Sequence, residues 1–283
     1  MASDGLFDVP KWGSDGGKAT NTSTIDGFLT ALLYMKWKDR TFSGNLLGDS
    51  VFTSACWDFL MGAGSVNDRK LAFITSLFKP NADGVFDLYG DEVSMVLEKA
   101  LDVSTFEVTF RCSHPDLHGT KLRNSFIVRR KKDQAWTDAY NSTLAVQTPC
   151  RDTNCPLETE YRVSEHTWMV PMDLSQIRLH PKHIEELPIG IELDGFNFKL
   201  AGVTIFMNLN GRTGHYSCIM LDDSNIGISK RWLYYDSIAG KLRIMQSPSD
   251  VDQLKPGYMM ICKIAYYFKT GKAKSSSKTL IIC

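Results

Sequence analysis

The chain has 283 residues, 43% hydrophobic and 11% aromatic, which is long for one domain, short for two large ones and ample for a core. Its 32 basic and 32 acidic residues cancel to a formal charge of zero, so no global field draws it to nucleic acid or a membrane surface, and neither partner is expected. No apolar run approaches the ~18–20 residues of a membrane span. Met1-Ala2-Ser3-Asp4-Gly5 lacks a secretory pattern, and seven scattered cysteines read as free thiols or metal ligands, so an intracellular protein (cytoplasm or nucleus) is expected.

Residues 1–22, rich in Gly, Ser and Asp, read as an arm. Ile25, Phe28, Leu29, Leu32 and Leu33 recur at helical spacing and predict an amphipathic helix that buries one face, its N-terminus near a cleft. Residues 46–100 read as mostly helical. Asn67 is expected to cap a segment carrying Leu71, Ile74 and Leu77 that Pro80 ends, and 91–101 forms another helix. The pattern then changes: Phe106-Glu107-Val108-Thr109-Phe110 alternates and Phe126-Ile127-Val128 is apolar, both strand-like, with Arg129-Arg130-Lys131-Lys132 expected at a solvated hairpin tip. Several strands follow over 189–268, with turns near 208–211, 222–225 and 239–240, before a Lys/Ser/Gly-rich tail. The order of helices, strand insert and sheet gives an α+β fold divided at 1–22, 23–104, 105–170, 171–268 and 269–283.

Three residues in this order carry chemistry. Ser23 sits at a helix N-terminus, where unpaired N–H groups and the helix dipole stabilise a thiolate or a developing oxyanion. The competing reading is a cap, since Ser23-x-x-Asp26 fits a variant capping box. His215, in Gly214-His215-Tyr216-Ser217, opens a strand after a turn. Asp236, in Trp232-Leu233-Tyr234-Tyr235-Asp236-Ser237, ends the next strand, and an antiparallel return brings its carboxylate back toward the imidazole, whose tautomer it can fix. Nucleophile, imidazole and carboxylate in this order is the layout of a papain-like thiol protease, with serine in the cysteine's place.

Asn21-Thr22-Ser23 resembles the Asn-Thr-Cys box of the ubiquitin-specific proteases. Gly214-His215-Tyr216 resembles their Gly-His-Tyr box, and Trp232 with Asp236 resembles the strand that completes their triad. The resemblance spans about residues 20–240 and implies a papain-like fold: a nucleophile helix and helical thumb over 23–104, a β finger over 105–170 and a β palm over 171–268. It implies a cysteine-type peptidase acting after the C-terminal glycine of ubiquitin or a ubiquitin-like protein, with no cofactor for catalysis. Tyr216, Trp232 and Tyr234 could shape a slot that admits only glycine. Two departures stand out. Serine is far harder to ionise than cysteine, which points either to a cysteine replaced so as to trap a complex, the reading favoured by the undisturbed surroundings of His215 and Asp236, or to a natural pseudoenzyme that binds ubiquitin. The places five and six residues before the nucleophile, where the family sets an oxyanion Asn or Gln, hold Lys18 and Gly17, leaving Asn21 as an imperfect substitute beside backbone N–H groups. A viral or mobile-element polyprotein protease would show the same boxes.

Cys112, His114, Cys150 and Cys155 lie in the insert, where the resembled family often carries a zinc ribbon. Two pairs of soft ligands at strand turns can hold a structural tetrahedral Zn²⁺, and unrelated thiols in an ordinary β insert are the alternative. Cys56, in an echo of the cathepsin helix start, and Cys262, in an apolar run, both read as core. His180 and His183 flank a proline, read as a surface loop, and His166 has no sequence partner.

Overall fold

Alternation of apolar side chains over the last third of the chain builds one large sheet that organises everything else. The computed structural model describes residues 6–11, 16–111, 119–144, 158–209, 214–222 and 231–272. The helical part contains α1 (Ser23–Lys38), α2 (Val51–Met61), α3 (Val66–Leu77) and the short α4 (Leu101–Ser104), with β1 (Ala19–Thr20) paired parallel to β2 (Phe86–Asp87). The insert holds β3 (Phe106–Arg111), β4 (Gly119–Arg123), β5 (Phe126–Ile127), α5 (Trp136–Leu144) and β6 (Glu158–Val163). The remainder is β7 (Met169–Asp173), β8 (Gly190–Leu193), β9 (Phe196–Leu209), β10 (His215–Asp222), β11 (Arg231–Asp236), β12 (Lys241–Met245), α6 (Val251–Leu254) and β13 (Tyr258–Lys272).

Eight strands form the main sheet in the order β12-β11-β10-β9-β13-β7-β5, with β8 also on β9; all pairs are antiparallel except β5 with β7. The period of two sends successive side chains to opposite faces. On one face Cys218, Met220, Leu233 and Tyr235 join Ile25, Phe28 and Leu32 of α1; on the other Ile219, Leu221, Trp232 and Tyr234 join Ile184, Leu187 and Ile191. Each fully buried Leu or Phe contributes about 1.5–3 kcal/mol. A separate three-stranded sheet, β4-β3-β6, leans on the second core through Phe106, whose ring lies 4.8 Å from that of Phe126.

Several local expectations are corrected. Helix α1 is buried on every side from Ser23 to Met35, because residues 6–11 lie over what would have been its solvent face, Phe7 meeting Tyr34 and Trp37. Ser65, not Asn67, caps α3, through a full capping box with Asp68; the Asn67 carboxamide oxygen accepts the Lys11 N–H instead, at 2.9 Å. Over 91–101 the chain forms a π-helical turn, Val93–Leu97, and then α4 rather than one α-helix. The basic run 129–132 leads into α5, not a hairpin, and the Arg130 guanidinium stacks 4.1 Å from the Trp136 ring. His180 and His183 belong to a 3₁₀ helix, Pro181–Glu186, and pair with Asp252 and Glu186. Cys56 and Cys262 are fully buried, as their apolar settings predict.

Candidate active site

A left-handed residue starts the site. Asn21 has φ 55°, a conformation that Asn tolerates better than most residues, and it turns the chain from β1 into α1. Its Nδ2 donates to Asp87 Oδ1 at 2.8 Å, so the amide proposed for an oxyanion is engaged in fastening this turn to β2. Bonds from Asn21, Tyr89 N–H and Thr20 hold the Asp87 carboxyl below its usual range.

Ser23 is the first residue of α1 and is 7% exposed. It is not the cap: Thr22 holds that position, with its hydroxyl turned to Asp26 Oδ2 at 3.0 Å instead of a backbone N–H. The N–H groups of Ser23 and Thr24 lie in the first turn, ahead of intrahelical pairing, where an anionic centre is favoured. Beneath them the fully buried Lys70 gathers Thr22 Oγ1 (3.2 Å), Lys11 O (2.7 Å) and Asp26 Oδ1 (3.5 Å). Sequence reading missed this cluster, whose members are 59 residues apart from Lys11 to Lys70.

Two contacts fix the level of Ser23 against the sheet. A Cβ on Gly27 would lie 3.5 Å from Ser217 O, and Tyr34 Oη donates to Leu221 O, so α1 and β10 run in the same direction. Stepping back four residues from Gly27 covers about 6 Å of helix. Stepping back two from Ser217 covers about 6.6 Å of strand. Both steps end at one level, Ser23 on the helix and His215 on the strand. On the neighbouring strand Asp236 pairs opposite Ser217, on the face that His215 shares. The three residues therefore stand at one level along the sheet, Ser23 beside the face that carries α1 and His215 with Asp236 on the face of Ile219 and Tyr234.

His215 is half-buried, and burial lowers its pKa; Asp236 acts against that shift and Lys255 adds to it. Its Nε2 is buried without a hydrogen-bond partner among the described residues, and its ring meets Tyr258 edge-on at 6.3 Å. Asp236 is 4% exposed. Its Oδ1 accepts the N–H groups of Ile238 (3.1 Å) and Ala239 (3.3 Å), closing the turn into β12, and its Oδ2 pairs with Lys255 Nζ at 2.7 Å. Burial raises the Asp236 pKa, but the Lys255 bond and charge, the Ala239 N–H and His215 outweigh it and leave it low. Among the described residues the ion-pair partner of Asp236 is Lys255 rather than His215.

The three aromatics do not form one slot. Tyr216 lies under α1, its hydroxyl accepting the Glu92 N–H, and Tyr234 is buried with its hydroxyl on Met207 Sδ at 3.5 Å. Trp232 pairs opposite Leu221, four residues and about 13 Å along the strand from Asp236. It lines a separate cavity of about 230 Å³ with Ile184, Leu187 and Leu200. A further buried carboxyl escaped the sequence reading: Glu92, with Thr204 and Tyr266 on its oxygens, is pushed up to about 8 by burial.

The proposed zinc ligands Cys112, His114, Cys150 and Cys155 lie outside the described residues. The strands that lead to them end together, Arg111 of β3 pairing with Glu158 of β6. Among the described residues there is no metal-binding cluster and no helix long and apolar enough to cross a membrane.

No protein-family model and no curated protein matches the chain. Among solved structures, the SAGA DUB module Ubp8/Sgf11/Sus1/Sgf73 bound to monoubiquitin matches with a TM-score of 0.52 and 10% identity, over 96% of this chain and 71% of that one. The fold is ubiquitin-specific-protease-like. The SAGA Ubp8/Sgf11/Sus1/Sgf73 DUB module gives a TM-score of 0.51 at 8% identity, over 96% of this chain and 70% of that one. The Saccharomyces cerevisiae Pan2 pseudoubiquitin hydrolase–RNA exonuclease module in complex with AAGGA RNA gives 0.47 at 10%, over 95% of this chain and 56% of that one. The chain therefore spans little more than half of the Pan2 module. Within the ubiquitin-specific-protease-like fold the α+β class and the order of helices before the main sheet agree with the sequence reading.

Proposed function

We propose that this domain receives the C-terminal tail of ubiquitin or a ubiquitin-like protein at the start of α1, on a cysteine-peptidase framework that serine leaves catalytically silent. The observation that carries the reading is that Ser23, His215 and Asp236 stand at one level along the main sheet of a ubiquitin-hydrolase-like fold.

With cysteine at position 23 the chemistry would run as acyl transfer. His215, kept neutral near pH 7 by burial, would take the thiol proton. The sulfur pair would form a bond to the carbonyl carbon of the terminal glycine, and the bond from that carbon to the leaving nitrogen would break as the tetrahedral intermediate collapses. The first-turn N–H groups would hold the oxyanion, and the imidazolium would return the proton to the leaving amine. Water would then release the acyl group, its proton passing back through His215. A serine hydroxyl in the same place has a much higher pKa, and a weakly basic buried imidazole does not make up the difference. A second reading, a natural pseudoenzyme that binds without cleaving, is favoured by one feature: the Asp236 oxygens are held by Lys255 and the turn, so the carboxylate does not orient His215.

We also carry a structural zinc in the insert, held by Cys112, His114, Cys150 and Cys155. Soft sulfur and imidazole donors and the paired ends of β3 and β6 support it. Its measurement is metal content after dialysis, with about one equivalent of zinc expected and loss of a ligand by Cys112→Ser releasing it.

Binding tests the main reading without requiring turnover. In a titration of the chain as it stands, full-length ubiquitin is expected to bind, and ubiquitin lacking its two terminal glycines at least tenfold more weakly. Equal affinity for both would remove the tail from the site, and no binding to ubiquitin or its relatives would leave a peptidase fold serving another tail.

A further inference from the structure

We infer that Lys255 is a positioning residue that diverts Asp236 from His215, a second block on the site independent of the serine. The inference deepens the proposed function and rests on that reading of the site, but its first test does not need ubiquitin.

Lys255 closes the segment between α6 and β13, and its side chain is 21% exposed against 6% for Asp236. The ammonium bonds Asp236 Oδ2 at 2.7 Å and lies 5.8 Å from the centre of the Tyr258 ring, which in turn stands edge-on to His215. Tyr258 thus neighbours both the cation and the imidazole. Asp236 Oδ1 is occupied by two turn N–H groups, so Oδ2 is the oxygen through which the carboxylate could hold an imidazole N–H, and Lys255 has taken it. The charges that face His215 are Asp236, which favours its protonation, and Lys255, which opposes it. Moving the cation away would therefore act twice, by removing a repulsion and by releasing an acceptor. The turn itself is held by the two N–H bonds to Oδ1 and does not need the cation.

The test is the pKa of His215, read by its ring resonances, in the full chain and in Lys255→Met, which keeps the aliphatic stem. Pairing with a freed carboxylate is expected to raise it by roughly 1–3 units. Lys255→Met/Asp236→Asn separates re-pairing from simple loss of a charge: most of the rise should vanish there. Lys255→Gln serves if the methionine variant folds poorly. An unchanged pKa, or a rise that survives in the double variant, would overturn the inference. In a Ser23→Cys background, alkylation by iodoacetamide at position 23, followed by peptide mass mapping, should be at least fivefold faster with Lys255→Met. If that acceleration appears while a ubiquitin electrophile fails to react, the diversion stands and the ubiquitin reading falls.

Discussion

Glu92 and Lys70 are two of the buried ionisable groups of this domain, and the fold treats them oppositely. Glu92 is kept neutral. Burial raises its pKa from 4.5 to about 8, with Thr204, Tyr266 and Lys263 pulling the other way. Thr204 Oγ1 accepts the Ile264 N–H and donates to Glu92 Oε2, and the Tyr266 hydroxyl donates to Glu92 Oε1. Between pH 4.5 and 8 the unfolded chain releases this proton while the folded chain keeps it. The unfolded state then binds fewer protons, and this contribution to stability falls as pH rises through the window. Glu92→Gln is expected to flatten that slope, measured as the change in urea midpoint between pH 5 and pH 8; an unaltered slope would show that Glu92 ionises freely in the fold. Lys70 is charge-paired, with Asp26 as its partner at 0% exposure for both side chains. Lys70→Met strands a buried carboxylate and is expected to cost about 3–5 kcal/mol in chemical denaturation, much of it recovered in Lys70→Met/Asp26→Leu. Neither residue announces itself in the sequence, because burial of a charge is a property of what folds over it.

The elements show where pattern suffices and where it does not. Phe106 to Phe110, the His215 strand and the turn at Ala239-Gly240 alternate or break as strands and turns must, and each is found where its pattern places it. Helix α1 was legible as a helix but not as a buried one, since the residues that cover it lie in an arm of Gly, Ser and Asp with no periodicity. The close approach of α1 to the sheet rests on Gly27. A Cβ there would stand 2.8 Å from Thr204 Cγ2, a side chain already committed to the Glu92 cluster. Gly27→Ala therefore gains helix propensity but forces the helix off β9 and β10. A net loss of about 1–2 kcal/mol is expected from thermal or urea unfolding, and a gain in stability would contradict the contact. Trp232 and Tyr234 share the box that resembles the known family, yet pleat and register send them inward or down the strand, which sequence adjacency to Asp236 does not reveal.

For the whole molecule, the arm acts as part of the site. Pro10 O accepts the Tyr235 hydroxyl at 2.9 Å, Lys11 O accepts Lys70, and the Lys11 stem passes over Gly240 beside the Asp236 turn. Removing residues 1–11 would uncover Phe7's partners and take an acceptor from a buried cation. The melting temperature is expected to fall by roughly 5 °C or more, and an unchanged value would mean that the arm is dispensable. The order of Ser23, His215 and Asp236 was legible because each sits at the end of a patterned element. Lys255 was not, because the return of one loop onto another strand's carboxylate is a tertiary event. The central claim, that the start of α1 is a thiol-peptidase site for a ubiquitin tail, is tested most directly by mixing Ser23→Cys with ubiquitin carrying a C-terminal electrophile. A covalent adduct at position 23, lost in Ser23→Cys/His215→Ala, is the expected result; a folded Ser23→Cys protein that forms no adduct, even with Lys255→Met added, would contradict it.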